Sequence, residues 1–394
     1  MLPRSPSSTD VVVVGAGVIG CSTAFHLTRL GVDGVVVIDR GGPGSGMSSR
    51  SSALVRMHYT YPPEVELAVR SDRMFERWPD LVGRPACVQR TGFVRVVAAG
   101  EEERLRSNVA MQRKAGADVR LVTGDELSVL APGLRTDDVA IAAYEPAGGF
   151  GDGSVVAADF LAAARDKGAR FVSGTEVREL LVRQGRVSGV LTDAGAIGAD
   201  VVVLATGPWS ASLLEQHGIS LPIESELHHV AVVRHRPGQG APLACIDSTT
   251  ATYFRPEGSR STTLIGTLGG KRPATPEDVE VAPTPEQLAK IVEAAAYRVP
   301  ALEHAGIGRG LSGVYDMTPD GRPLLGTVAG VDGLVLAAGF SGTGFKISPA
   351  VGEALADLVV HGTSLSVDLR RFRPSRFADG EPISPPWSYA DEYD

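Results

Sequence analysis

Residues 10–40 read DVVVVGAGVIGCSTAFHLTRLGVDGVVVIDR. The four valines at 11–14 form a short β-branched run closed by glycine, as in a buried strand. Residues 18–31 carry apolar side chains at helical spacing, and VVVI at 35–38 is a second strand. Strand, glycine turn, helix and strand within about 30 residues make a βαβ unit with a parallel sheet. Gly15 allows the tight bend, Gly17 lets backbone approach a pyrophosphate, and Gly20 lets helix and strand pack closely. The helix opens at Val18 and Ile19, where free N–H groups face phosphate. Asp39, followed by Arg40, ends the second strand, where a carboxylate accepts hydrogen bonds from a ribose 2′-OH and repels a 2′-phosphate. The unit therefore predicts a dinucleotide site of the kind that NAD and FAD share.

Composition narrows the setting. The chain has 394 residues, enough for two structural units, with 43% hydrophobic and 21% charged residues. Its net charge of −8 argues against nucleic acid or an anionic membrane surface as partner. Cys21, Cys87 and Cys245 are far apart and form no CxxC pair, so no metal site is expected, and this usage fits a reducing cytoplasmic setting. The first ten residues carry no apolar leader run, and no stretch reaches the ~18 apolar residues of a membrane span.

The pattern changes along the chain. A Gly- and Ser-rich loop occupies 41–52, and a helix is expected over 63–79, with proline at its start. Residues 90–145 read as strands around an exposed helix at 101–117. Residues 154–168 form a helix, and 177–195 a hairpin. ADVVVLATG, 199–207, is a buried strand that ends in a glycine turn. Residues 222–270 alternate like antiparallel sheet, 284–297 look helical, and GLVLAAG, GFSGTGFK and ISPAVGEALADLVVHG repeat the strand–turn–helix style of the start. The expected fold is α/β, a Rossmann-like FAD-binding domain with an inserted antiparallel-sheet α+β substrate domain. The FAD part is expected from 1–90, 146–215 and 310–375, the substrate part from 91–145 and 216–309, and a C-terminal tail from 376–394.

The glycine triplet does not choose between NAD and FAD. Three further segments suit the extra wrapping that an isoalloxazine ring needs: GMSSRSSALVRMHY at 46–59, VVVLATGPWS at 201–210, and GFSGTGFKISPAVGEAL at 339–355. With GAGVIG, IDR and MTPDGRPLLG at 317–326, they make nearly the whole chain resemble the glycine oxidase, sarcosine oxidase and D-amino acid oxidase family of FAD-dependent amine oxidoreductases, the sarcosine oxidase branch most closely. The resemblance implies that Ser48, Ser49, Ala53 and Leu54 line the flavin and that Val177 contacts adenine. It places Ala205, Gly207 and Trp209 beside the nucleotide, and Gly342, Gly344 and Lys346 by the pyrimidine end. A helix starting near Lys346 would aim its positive end at the region where reduced flavin gathers charge.

Members of this family remove hydride from the carbon beside an amine nitrogen, giving an imine. By resemblance, Arg56 and Lys346 clamp a substrate carboxylate, Arg as a fork and Lys as a point charge, and Tyr59 is the substrate-side tyrosine. His228 and His229 are adjacent on a strand, so one faces inward; a neutral histidine near the amine could help deprotonate it, His229 being the candidate, and for each of His58, His228 and His229 a core or edge histidine is the alternative. Tyr253 and Arg255 are second-tier candidates, and Arg50 is either a flavin-loop or an exposed residue. Two departures stand out. Gly313 replaces the cysteine that tethers flavin, so FAD is expected to be noncovalent. Leu264 stands where a lysine promotes reaction with O2, with Lys271 nearby, and Leu268 replaces a histidine, which implies an apolar pocket. The expected partner is a small amine or amino acid. A 2-hydroxy acid oxidase or dehydrogenase on the same fold and a non-catalytic flavin-binding protein are the alternatives. Substrate identity, electron acceptor and oligomeric state stay open at this level.

Overall fold

The computed structural model describes residues 8–269 and 273–390; Lys271 lies outside the described residues. Ser8–Val14 (β1), Val18–Arg29 (α1) and Val35–Asp39 (β2) form the expected βαβ unit. β1 pairs in parallel with β2 on one side and with Gly195–Leu204 on the other. Leu334–Ala338 pairs in parallel with the far edge of Gly195–Leu204. Start, middle and end of the chain thus lie side by side in one eight-stranded sheet. Val12, Val13, Val36, Val37, Val202 and Val203 are all 0% exposed. Such two-sided burial is what continuous valine runs in a parallel sheet require.

The second eight-stranded sheet runs Gly306–Met317, Glu224–Arg234, Ser259–Thr267, Thr252–Glu257, Ala244–Asp247, Phe93–Val96, Ile141–Glu145, Arg120–Thr123. It is antiparallel except where Phe93–Val96 meets Ala244–Asp247 in parallel, the seam between its two stretches of chain. The strand Gly306–Met317 runs across residue 310, and all its pairing is with this sheet. A small third sheet joins Leu54–Val55 and Val88–Arg90 to Gly149–Gly151.

The structure departs from sequence expectation at three helices. The helix expected over 63–79 breaks at Arg77 and restarts as Trp78–Val82, because Pro79 has no N–H to continue the ladder. An unforeseen helix, Gly124–Leu130, follows Thr123, whose hydroxyl and the Glu126 side chain form a reciprocal capping box.

The C-terminal helix, Gly344–His361, begins three residues earlier than expected and contains Pro349. Proline cannot donate to the Phe345 carbonyl, and the Ser348 hydroxyl donates to it instead at 2.8 Å. The Ala350 N–H donates to Ser71 Oγ at 3.1 Å. This helix lies so close on α1 that a Cβ at Gly352 would sit 2.1 Å from Ser22 Oγ and 2.6 Å from a Ser22 backbone atom. Among the described residues no helix is long and apolar enough to cross a membrane. Gly352→Ala is expected to push the two helices apart and lower stability by about 1–3 kcal/mol, read as a lower denaturant midpoint; an unchanged midpoint would show that the contact relaxes freely.

Candidate functional site

The glycine turn is built by exclusion of side chains. Gly15 has φ +101, and a Cβ there would lie 2.4 Å from the Ala205 carbonyl oxygen. A Cβ at Gly20 would lie 1.9 Å from the Gly15 oxygen. Asp39 then ties the turn to the second strand: Oδ2 accepts the Ala16 N–H and Oδ1 accepts the Gly41 N–H, each at 2.7 Å. A carboxylate offers about four lone-pair positions, so acceptor capacity remains for a ribose hydroxyl. Gly17 caps α1 without a side chain, and Ser48 Oγ accepts the Val18 N–H at 3.1 Å.

A cavity of about 860 Å³ opens at this turn. Its wall includes Gly15, Gly17, Val18, Ile19, Asp39, Arg40, Ser48, Val177, Ala205, Gly207, Trp209, Gly342 and Gly344. Gly20 lies behind the turn as packing. Four other residues expected at the flavin, Ser49, Ala53, Leu54 and Lys346, are not in the wall either. The Ser49 hydroxyl turns back to the Gly46 carbonyl at 3.0 Å. Ala53 is 1% exposed in the core, and Leu54 is buried in a strand paired with Phe150. The wall also holds residues that sequence reasoning passed over: Met47, Arg178, Thr206, Tyr315, Asp316, Phe340 and Phe345. Met47, Thr206, Phe340 and Phe345 fall inside the three wrapping segments, whereas Arg178, Tyr315 and Asp316 lie outside them, where local spacing carried no signal. Arg50, left open above, is a wall residue and pairs with Glu280 at 3.0 Å. The Arg40 guanidinium stacks 4.2 Å over the Trp209 ring, and Trp209 Nε1 donates to Glu277 at 3.0 Å. The segment 276–280 thereby bridges to the glycine-turn side at two points.

A cavity lined both by the side-chain-free glycine turn and by Gly344 at the start of the C-terminal helix fits FAD. Gly342 (φ +77) is required there, since a Cβ would meet the Tyr315 ring at 2.5 Å. At Gly313, also in the wall, a Cβ would meet nothing closer than 3.7 Å. Among the described residues no cluster of His, Cys, Asp or Glu is arranged to hold a metal.

Behind this wall Arg56, Tyr59 and Lys346 come together. The Arg56 guanidinium lies 4.5 Å and the Lys346 ammonium 6.0 Å from the centre of the Tyr59 ring. Lys346 is 6% exposed, and burial, reinforced by Arg56 and opposed by Glu64, holds its ammonium well below the usual lysine range. Arg56 Nη1 donates to the His58 carbonyl, while its Nε is buried without a hydrogen-bond partner among the described residues. Lys346 does not line the large cavity but faces this cluster instead. Glu145, which the sequence did not single out, accepts the Met57 N–H at 2.7 Å. Burial pushes its carboxyl up to about 8. Asp316 accepts the Gly339 N–H at 2.7 Å, and burial pushes it up to about 6.

The structure does not bring His229 to this cluster. Its neighbours at alternate positions, Ala231 and Val233, pack with Leu288 and Ile291 of the helix Pro285–Ala296. Strand alternation puts His229 on that same far face, where its Nδ1 lies 2.9 Å from Ser312 Oγ. His228 takes the other face and stacks on the cavity residue Tyr315 at 3.9 Å. Tyr253 packs with Leu54, Phe93, Val230 and Leu264 in one apolar cluster, with Leu268 against it. Arg255 is bound to the Ser52 carbonyl at 2.6 Å and to Glu257, a supporting position.

A family model described as "DAO: FAD dependent oxidoreductase" matches residues 10–358. Glycine oxidase of Geobacillus kaustophilus is 30% identical over 89% of this chain and 92% of its own length. The mitochondrial sarcosine dehydrogenase of Mus musculus is 28% identical over 94% of this chain, and the formaldehyde-forming 4-methylaminobutanoate oxidase of Paenarthrobacter nicotinovorans 29% identical over 93%. The chain spans only 42% and 46% of the length of those two relatives. Among solved structures, L-proline dehydrogenase from P. horikoshii superposes with a TM-score of 0.89 at 28% identity, over 96% of this chain and all of that one.

The two raised carboxyls set a pH dependence. Unfolded, they titrate near 4; folded, they keep their protons to about 6 and about 8. The native state therefore binds more protons in this window, so stability is highest at the acid end and falls as pH rises from about 4.5 through 8. Glu145→Gln is expected to flatten the pH 6–8 part of the thermal midpoint curve; the same slope in variant and parent would remove Glu145 as its source.

Proposed function

We propose that this chain, which belongs to the FAD dependent oxidoreductase family, oxidises the C–N bond of a secondary amine or N-substituted amino acid to an imine. The observation that carries this reading is the pair of basic side chains, Arg56 and Lys346, over Tyr59. A buried guanidinium nitrogen without an acceptor costs free energy until one arrives. Lys346 lies in the first turn of the C-terminal helix, where the helix dipole is also positive. A carboxylate placed between Arg56 and Lys346 answers both, and would raise the ammonium's pKa again. The relatives named above, for sarcosine, glycine, proline and methylaminobutanoate, all take substrates of the amine-plus-carboxylate kind.

Bound noncovalently along the glycine-lined cavity, FAD supplies the two-electron acceptor for the C–H beside nitrogen. The chain's own part is positional. Arg56 and Lys346 fix the carboxylate end, Tyr59 forms the floor under both cations, and the apolar cluster of Leu54, Phe93, Val230, Tyr253 and Leu264 excludes water from the facing side. His58 stays neutral, because burial, with Arg95 and Arg56, holds its pKa well below the usual histidine range; it adds no third charge to the clamp. With Leu264 in that wall rather than a cation, we place an acceptor other than O2 ahead of oxygen. Three free thiols suit a reducing cytoplasmic setting.

Purified protein is expected to be yellow and to release FAD on acid precipitation. N-methyl amino acids should bleach it anaerobically where 2-hydroxy acids do not. A colourless protein, or bleaching by hydroxy acids alone, overturns the reading, and peroxide released as fast as a dye is reduced overturns the choice of acceptor. Arg56→Ala should lower kcat/KM for a carboxylate-bearing amine about tenfold to a hundredfold, as loss of charge-assisted hydrogen bonds implies, and leave an amine without a carboxylate unaffected.

A further inference from the structure

The C-terminal tail returns to the substrate cluster. It is anchored first at Asp320, whose carboxylate pairs with buried Arg376 and accepts the Ile383 N–H at 2.9 Å. It is pinned again near the helix Glu102–Lys114: Asn108 Nδ2 donates to the Trp387 carbonyl at 2.9 Å, and the Ala390 N–H donates to Glu101 at 2.9 Å. Between those pins Tyr389 turns inward and is 3% exposed. Its hydroxyl lies 2.9 Å from His58 Nε2, and the two rings stack at 5.8 Å with an interplanar angle of 17°. The Arg95 guanidinium lies 4.7 Å from the Tyr389 ring centre. Ordering backbone costs about 1–2 kcal/mol per residue, so these contacts hold the segment against a steady entropic pull.

His58 is where the tail meets the clamp. Its carbonyl accepts from Arg56 Nη1. The residue before it is held through its N–H by Glu145, and the Tyr59 carbonyl accepts from Gln112 Nε2 at 2.8 Å. Gln112 and Asn108 belong to the same helix, so one element fastens both the clamp's backbone and the tail. The direction of the guanidinium depends on the backbone at 58, and the side chain at 58 is held by Tyr389.

We propose that Tyr389 is a positioning residue for the carboxylate clamp: seated against His58, it fixes the turn that orients Arg56, so the C-terminal tail sets affinity for carboxylate-bearing substrates. This rests on the reading of Arg56 given above. No proton or electron moves in this role, and its effect is on binding.

Acetate, a carboxylate without an amine, tests the two readings separately when titrated into the holoprotein and followed by flavin absorbance. Tyr389→Phe removes one hydrogen bond and is expected to weaken acetate about fivefold. Tyr389→Ala, which also removes the ring, should weaken it further. With sarcosine as substrate, KM should rise in the same order while kcat stays within about twofold. Equal acetate affinity in Tyr389→Ala and parent, a fall in kcat at constant KM, or no acetate binding by the parent overturns the proposal. Should Tyr389→Ala fail to fold, Asn108→Ala loosens the tail from outside, and unchanged acetate affinity there is equally fatal. A parent protein that binds acetate and loses it in the variants, yet bleaches with no amine, sinks the amine reading alone.

Discussion

The carboxylate of Asp39 is the constraint on which the nucleotide end depends. By accepting N–H groups from Ala16 and Gly41 at 2.7 Å, it closes the glycine turn onto the end of β2. The same closure drives Gly15 against the Ala205 carbonyl, where no side chain fits. The edge of β1, the end of β2 and the ATGPW turn are thereby drawn around one cavity mouth. Charge complementarity and shape have a common origin there: bare backbone is what a pyrophosphate needs to approach, and bare backbone is also the only thing that packs.

The substrate end is assembled differently. Arg56 comes from the stretch after the Ser-rich loop, Lys346 from the first turn of the C-terminal helix, and both meet over Tyr59. Strain lies close by. Ala53 and Ser341 hold φ of 49° and 48°, a left-handed conformation that costs a side-chain-bearing residue about 1–2 kcal/mol. Each is just upstream of a clamp residue. Backbone strain kept beside a site is the mark of a geometry imposed by the surroundings. Here the surroundings are the buried carbonyl and carboxylate contacts at Gly339, Gly151 and Asp316.

Trp209–Glu277 and Arg50–Glu280 tie the bridging segment across the cavity, and the tail runs from Asp320 to the helix Glu102–Lys114. The tail reads in sequence as an appendage of Pro, Ser and acidic residues, with no periodicity to place it. Its aromatic residues find their partners only once the second sheet and its helix exist.

What the sequence determined by itself is whatever depends on near neighbours. The βαβ unit, the parallel core, the role of Gly15 and Gly20, and the turn leading into the C-terminal helix all follow from spacing within about 30 residues, where backbone sterics and strand or helix period dictate the outcome. The meeting of Arg56 with Lys346 was legible only through resemblance, since nothing local connects them. The tertiary structure alone decided the rest. Adjacent histidines on a strand must face opposite ways, but which way depends on what covers each face, and the helix Pro285–Ala296 claimed the side of His229. Glu145, Tyr315 and Tyr389 sit at ordinary positions in sequence. They matter because long-range strand pairing and burial bring them to the site, and burial energy depends on three-dimensional neighbours that no local pattern encodes.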